Sequence, residues 1–249
     1  MNAKSIVETS VDTAILDQPI SIERMPTGVR GLDDLMEGGL PKNSMILVTG
    51  KTGTGKTTLG LSFLMQGIQE GEPVCFVTLE ESIDSIVTQL ELFGWPAREY
   101  IREKKLTLVQ PALYDFEKLL LEIEDSVVRS KSTRLVIDSI SIVAMYFQNE
   151  FKVRRALLDL EKSIKKLGCT SLLLCDMHDH KGLISVYGVE EYVVDGVIAL
   201  YLVQKGRQFD RALMVHKMHS TNHSLRMHPA KIEKPYGFVV HPKRTTHLG

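Results

Sequence analysis

Gly50-Lys51-Thr52-Gly53-Thr54-Gly55-Lys56-Thr57 decides how the rest of this chain is read. These eight residues fit GxxxxGK[ST], the spacing of a phosphate-binding loop. An apolar run, Met45-Ile46-Leu47-Val48, precedes them, and Leu59, Phe63, Leu64 and Ile68 follow at helical spacing. A strand, a glycine-rich turn and a helix start are what this chemistry needs. Glycines let successive backbone N–H groups curl around a phosphate, and the helix start adds about half a positive elementary charge. Cofactor contacts are expected from Gly50, Thr52, Gly53, Thr54, Gly55, Lys56, Thr57 and Thr58, with Lys56 at the β- and γ-phosphates and the Thr57 hydroxyl on Mg²⁺. A ligand-free glycine turn is the plainer alternative. The Lys-Thr pair and both flanks speak against it.

Outward from the loop, strands and helices alternate. The strand Met45–Thr49 leads through the loop into a helix ending near Glu70. Val74–Val77 is a buried-type strand, and Ile83, Ile86, Val87 and Leu90 mark a helix stopped by Gly94-Trp95-Pro96. Leu106–Val109, a helix through Phe116, Leu119, Leu120, Ile123 and Val127, and the strand Leu135–Ile137 follow. A helix over 152–167 closed by Gly168 leads to the strand Ser171–Cys175. This order predicts an α/β fold: a mostly parallel sheet covered by helices on both faces. Val197–Val203, Leu213–Val215 and Phe238–Val240 have no helices between them and read as antiparallel strands added at the sheet edge. Before the first strand, Thr27 is expected to cap a short helix through Asp33 and Leu35 that ends at Gly38-Gly39. Residues 1 to 20 are weakly patterned and read as a loosely ordered leader, with one domain over 21–249.

Composition bounds the function. Lys plus Arg is 30 and Asp plus Glu is 31, a net charge of −1, which argues against broad nucleic-acid binding. No apolar run approaches a membrane span, and the start lacks the apolar core of a secretion signal. The odd count of three cysteines, in or beside apolar strands, fits reduced thiols in a cytoplasm.

Two further segments complete a nucleotide site. Leu135-Val136-Ile137-Asp138 is an apolar strand ending in a carboxylate, which places Asp138 as the second Mg²⁺ contact. Glu80 and Glu81 directly follow the strand at Val74, where a carboxylate can face the crevice and deprotonate an attacking water, a contribution of ~10²–10⁴-fold. The plainer role for both is acids at a helix N-terminus, and the spacing does not choose between them.

From Ile22 onward the sequence resembles the KaiC-like branch of the RecA superfamily of ATPases. The resemblance is carried by Pro26-Thr27-Gly28-Val29-Arg30-Gly31-Leu32-Asp33, the phosphate loop, Val77-Thr78-Leu79-Glu80-Glu81-Ser82, Leu135–Ser139, the stretch Ser185–Val197 and Lys217-Met218-His219-Ser220-Thr221. It implies a RecA-like core, ATP and Mg²⁺ as ligands, Glu80 and Glu81 as paired catalytic glutamates beside Lys56, and ATP at the subunit interfaces of a homo-oligomeric ring, commonly a hexamer. It also implies that Lys217 and the residue at 219 reach a neighbour's γ-phosphate. The family has Arg where this chain has His219, and Gly where it has Ser220. An arginine supplied in trans is worth ~10³–10⁵ in related phosphoryl-transfer enzymes, and a neutral imidazole does not replace a bidentate cation. Slow hydrolysis is the expectation, with a non-hydrolysing nucleotide switch or scaffold as the alternative. A DNA-dependent recombinase is disfavoured by the charge and by the lack of a basic loop after Asp138. A small-molecule kinase is disfavoured by the paired glutamates, and GTP by the lack of an NKxD segment. The protein partner is not legible.

Other signals read as ordinary structure. His178-Asp179-His180, with Cys175 and Asp176, matches no defensible zinc spacing, though Asp176 ends a strand near the nucleotide. His216, His219, His223 and His228 fall on strands and turns. Lys162, Lys165 and Lys166 read as a solvated helix face, Arg154-Arg155 as surface, and Trp95 as a packing anchor.

Overall fold

Residues 21–111, 115–177, 185–186 and 188–247 are described by a computed structural model. The expected leader at 1–20 and the His178-Asp179-His180 stretch lie outside them. The elements are β1 (Arg24–Met25), β2 (Leu40–Pro41), β3 (Met45–Gly50), α1 (Lys56–Gln69), β4 (Val74–Thr78), α2 (Ile83–Leu92), α3 (Ala97–Arg102), β5 (Leu106–Val109), α4 (Phe116–Ser130), β6 (Arg134–Asp138), α5 (Ser141–Phe147), α6 (Glu150–Leu167), β7 (Thr170–Asp176), α7 (Glu190–Val193), β8 (Gly196–Lys205), β9 (Gln208–Met218), β10 (His228–Glu233) and β11 (Gly237–Val240).

Among the described residues nine strands form one sheet in the order β11-β10-β9-β8-β3-β7-β6-β4-β5. From β8 to β5 the pairs are parallel; β8–β9, β9–β10 and β10–β11 are antiparallel. The mostly parallel core with an antiparallel edge is therefore as the alternation requires. Side-chain alternation along β3 shows why both faces are covered. Ile46 and Val48 enter one apolar cluster, with Phe63 and Leu64 of α1 and Leu90 of α2. Met45 and Leu47 enter the other, with Ile123 of α4 and Leu157 and Leu160 of α6.

Local signals place the helix ends. Asp115 Oδ1 accepts from Glu117 N at 2.9 Å at the start of α4, and Asn149 Oδ1 from Lys152 N at 3.0 Å at the start of α6. Gly168, at φ +72°, closes α6 in the left-handed conformation that a side chain disfavours. The expected Thr27 cap is corrected. The first turn is a short 3₁₀ segment, Asp33–Leu35, without a side-chain cap. Thr27 instead donates its N–H (3.1 Å) and hydroxyl (2.5 Å) to the Asp33 carboxylate, because a half-buried carboxylate needs donors. Burial pushes the Asp33 carboxyl above its ordinary value, against those two hydrogen bonds.

Arg134 opens β6 with its side chain fully buried. It is tolerated because every face of the guanidinium has a partner. Nε donates to Glu72 at 2.7 Å, Nη2 to Glu70 at 2.5 Å and Nη1 to the Pro26 carbonyl at 2.6 Å, and the group lies over the Phe63 ring. The network ties the end of α1 to the segment ahead of the sheet.

The parallel strands bring four chain positions to one edge. Gly50 pairs with Asp176, and Thr78 with Asp138. In open α/β sheets the crevice beyond the carboxyl ends of the strands is where ligands bind.

Candidate functional site

β3 ends in the loop, and the loop ends in α1. Gly53 and Gly55 have φ of +82° and +105°, a region that a side chain rarely adopts. Gly50 is needed for a different reason: a Cβ there would lie 2.7 Å from Thr54 Oγ1 and 2.8 Å from the Leu200 carbonyl. Thr54 is fully buried and donates its hydroxyl to Lys51 O at 2.7 Å, so it braces the loop from within. Thr52, Gly53, Gly55, Lys56, Thr57 and Thr58 line a cavity of about 380 Å³, with Glu80, Glu81, Asp138 and Asp176 around it.

Inside the cavity Thr57 donates its hydroxyl to Asp138 Oδ2 at 2.7 Å. Two hard oxygen groups at a helix N-terminus, facing the loop, are a donor set suited to Mg²⁺. Burial pushes the Asp138 carboxyl up from 3.8 to about 6, with Glu80 and Glu81 adding to the rise while the Thr57 hydrogen bond and Lys56 oppose it. Carboxylates crowded at a strand end make an anionic centre that favours a cation. Lys56 Nζ donates to Gly50 O and to Asp176 Oδ1, both at 2.9 Å.

The two adjacent glutamates are not equivalent. Glu81 Oε2 accepts from Ser85 Oγ at 2.6 Å and Gln89 Nε2 at 2.8 Å, one and two turns along α2. Its carboxylate is thereby held against the helix. Glu80 is exposed, has no side-chain hydrogen-bond partner among the described residues, and comes ahead of Glu81 in its electrostatic influence on Asp138.

Two cavity residues were missed by the sequence argument. Arg211 of β9 donates through Nε and Nη2 to the Gly53 carbonyl at 3.2 and 3.0 Å. Ile232 of β10 also lines the cavity. No local motif marks either; only the β9–β10 edge brings them over the loop.

Lys217 and His219 are not part of this cavity. The backbone N–H of His219 donates to Asp195 O, and that of Asp195 to Met45 O. Met45 starts β3 and Gly50 ends it, a separation of roughly 17 Å of strand. Lys217 Nζ donates to Glu191 O at 3.1 Å and Val194 O at 2.6 Å. Burial lowers its pKa, opposed by Asp195, Glu161 and Glu191. His219 Nδ1 lies 3.6 Å from Asp195 Oδ1, whose other ion-pair partner is Lys165 at 3.0 Å. Among the described residues no group of three or more His, Cys, Asp or Glu is arranged to hold a metal ion.

A family model described as "ATPase: KaiC" matches residues 25–245. The chain belongs to this KaiC ATPase family. A UPF0273 protein of Methanopyrus kandleri is 34% identical over 242 residues, covering 90% of this chain and 94% of the relative. A circadian clock oscillator protein KaiC of Parasynechococcus marenigrum is 34% identical over 215 residues, 82% of this chain but 42% of that longer protein. The crystal structure of a KaiC-like protein from Pyrococcus horikoshii superposes with a TM-score of 0.81 at 37% identity, over 89% of this chain and 100% of that one. Membership in this ATPase family implies nucleotide binding. Among the described residues no helix is long and apolar enough to cross a membrane.

Proposed function

We propose that this chain is a cytoplasmic, ATP-binding and slowly ATP-hydrolysing regulatory protein. It assembles as a homo-oligomer, a hexameric ring, with ATP between neighbouring subunits. One observation carries the reading: Lys217 and His219 lie at the opposite end of β3 from the loop that holds Lys56. Within one protomer they do not meet, so any role at the γ-phosphate is played on a neighbour.

In this arrangement the loop N–H groups and Lys56 bind and orient the triphosphate. Thr57 and Asp138 hold Mg²⁺, which supplies charge neutralisation at the phosphates. Glu80 takes a proton from the attacking water, while Glu81 keeps the start of α2 in place. Arg211 is placed to exchange the Gly53 carbonyl for a phosphate oxygen. Histidine at 219 accounts for slow turnover, and it also favours the second reading, a nucleotide-dependent switch or scaffold that recruits a protein partner without hydrolysis. DNA dependence is less favoured by the net charge of −1. Light scattering with and without Mg-ATP, with phosphate release on the same sample, tests both points. A sixfold protomer mass with slow release supports the proposal. A monomer that turns over ATP refutes the shared site.

A further inference from the structure

Asp176 is the part of the site that phosphate binding does not explain. It sits beside Gly50 in the β3–β7 register, and its carboxylate holds the Lys56 ammonium at 2.9 Å. A phosphate in the cradle needs that same ammonium. We propose that Asp176 is an internal competitor for the phosphate-loop lysine, which makes tight ATP binding conditional on a divalent cation. The proposal rests on the nucleotide reading above and adds a control to it.

Three features support a competing role. First, the Lys56 side chain is 11% exposed and that of Asp176 is 43% exposed. The ammonium is fixed in a poorly solvated place, where charge pairing is stronger than in water. The carboxylate can turn towards solvent. Second, the Asp176 backbone is pinned, so its carboxylate can swing off Lys56 only by the reach of one short side chain. Its backbone N–H donates to Ser141 Oγ at 2.8 Å, and the next N–H, of Met177, donates to Gly50 O. When a phosphate takes Lys56, a negative charge therefore stays beside the phosphate. Third, four carboxylates (Glu80, Glu81, Asp138 and Asp176) face two cations, Lys56 and Arg211, around one cavity. A triphosphate adds more negative charge to a site already dominated by it. A divalent cation bound with the nucleotide offsets that repulsion, and Asp176 raises the dependence on it.

Calorimetric titration of the full chain with ATP, in EDTA and in excess Mg²⁺, tests this with Asp176→Asn and Asp176→Glu. In EDTA, Asp176→Asn should bind ATP ~10-fold more tightly than wild type, because one competing charge beside a largely buried lysine is gone. In Mg²⁺ the gain should shrink to below ~3-fold, and Asp176→Glu should keep the wild-type cation requirement. Asp176→Ser, the smaller neutral replacement, is titrated beside it, with near-UV circular dichroism confirming the fold of each. If the neutral variants bind in EDTA no more tightly than wild type, or gain equally in both buffers, the competition is refuted. Wild-type protein that binds ATP in neither buffer refutes instead the nucleotide reading on which the proposal rests.

Discussion

Replacing Asp138 by Asn should make the ATP-free protein more stable at neutral pH while removing its affinity for Mg-ATP. The carboxyl is pushed from 3.8 to about 6, chiefly by burial. At roughly 1.4 kcal/mol per tenfold change in proton affinity, that rise corresponds to ~3 kcal/mol against the ionised folded form. The sign follows from the raised folded value. Between pH 3.8 and about 6 the folded chain holds this proton more often than the unfolded chain does. This carboxyl therefore lowers stability as pH rises through that window, and the cost is complete above about pH 6. Asn accepts the Thr57 hydrogen bond but never ionises. Urea unfolding of wild type and Asp138→Asn from pH 4 to 7.5 isolates the effect, because other titrating groups cancel in the difference. The stability advantage of the variant should grow by up to ~3 kcal/mol across the range. For wild type, Mg-ATP affinity should fall as pH drops below about 6, since the cation must displace the proton. A difference that stays flat with pH would refute the argument that burial holds Asp138 in a costly ionised state for the metal.

Three further outcomes follow. Lys56→Ala should abolish binding of a fluorescent ATP analogue while leaving the far-UV and near-UV circular dichroism unchanged; equal binding by the variant contradicts the loop assignment. Glu80→Gln should remove phosphate release, a loss of ~10²-fold or more, with ATP still bound, whereas Glu81→Gln should mainly lower thermal stability through Ser85 and Gln89; the reverse pattern in a paired phosphate-release and melting assay would exchange their roles. His219→Arg should raise turnover in assembled protein, towards the ~10³–10⁵ of a trans arginine and less if Ser220 misaligns it, and an unchanged rate would remove residue 219 from the chemistry.

The loop and Asp138 were legible because each is a strand-end motif whose chemistry is local. The antiparallel edge was legible from the loss of intervening helices after β8. β10 was not, because Pro229 breaks the segment and leaves only the four-residue alternation Ala230-Lys231-Ile232-Glu233, which its pairing with β9 and β11 makes a strand. α5 escaped notice because it lacks a side-chain cap and starts directly beyond the β6 strand end. Glu80 and Glu81 are indistinguishable in sequence. The structure separates them through Ser85 and Gln89, residues that carry no catalytic signature. Arg211, and the Lys56 partner role of Asp176, depend on strand register, which neighbouring residues do not encode.

Mixing two inactive variants tests the shared site most directly. Lys56→Ala keeps Lys217, and Lys217→Ala keeps the phosphate loop. In a ring with head-to-tail interfaces, random 1:1 mixing gives about a quarter of interfaces an intact loop facing an intact lysine. Phosphate release should therefore return to about a quarter of wild type, while each variant alone stays near background. No recovery in mixed rings of verified mass, or wild-type turnover from Lys217→Ala as a monomer, would contradict ATP at the subunit interface.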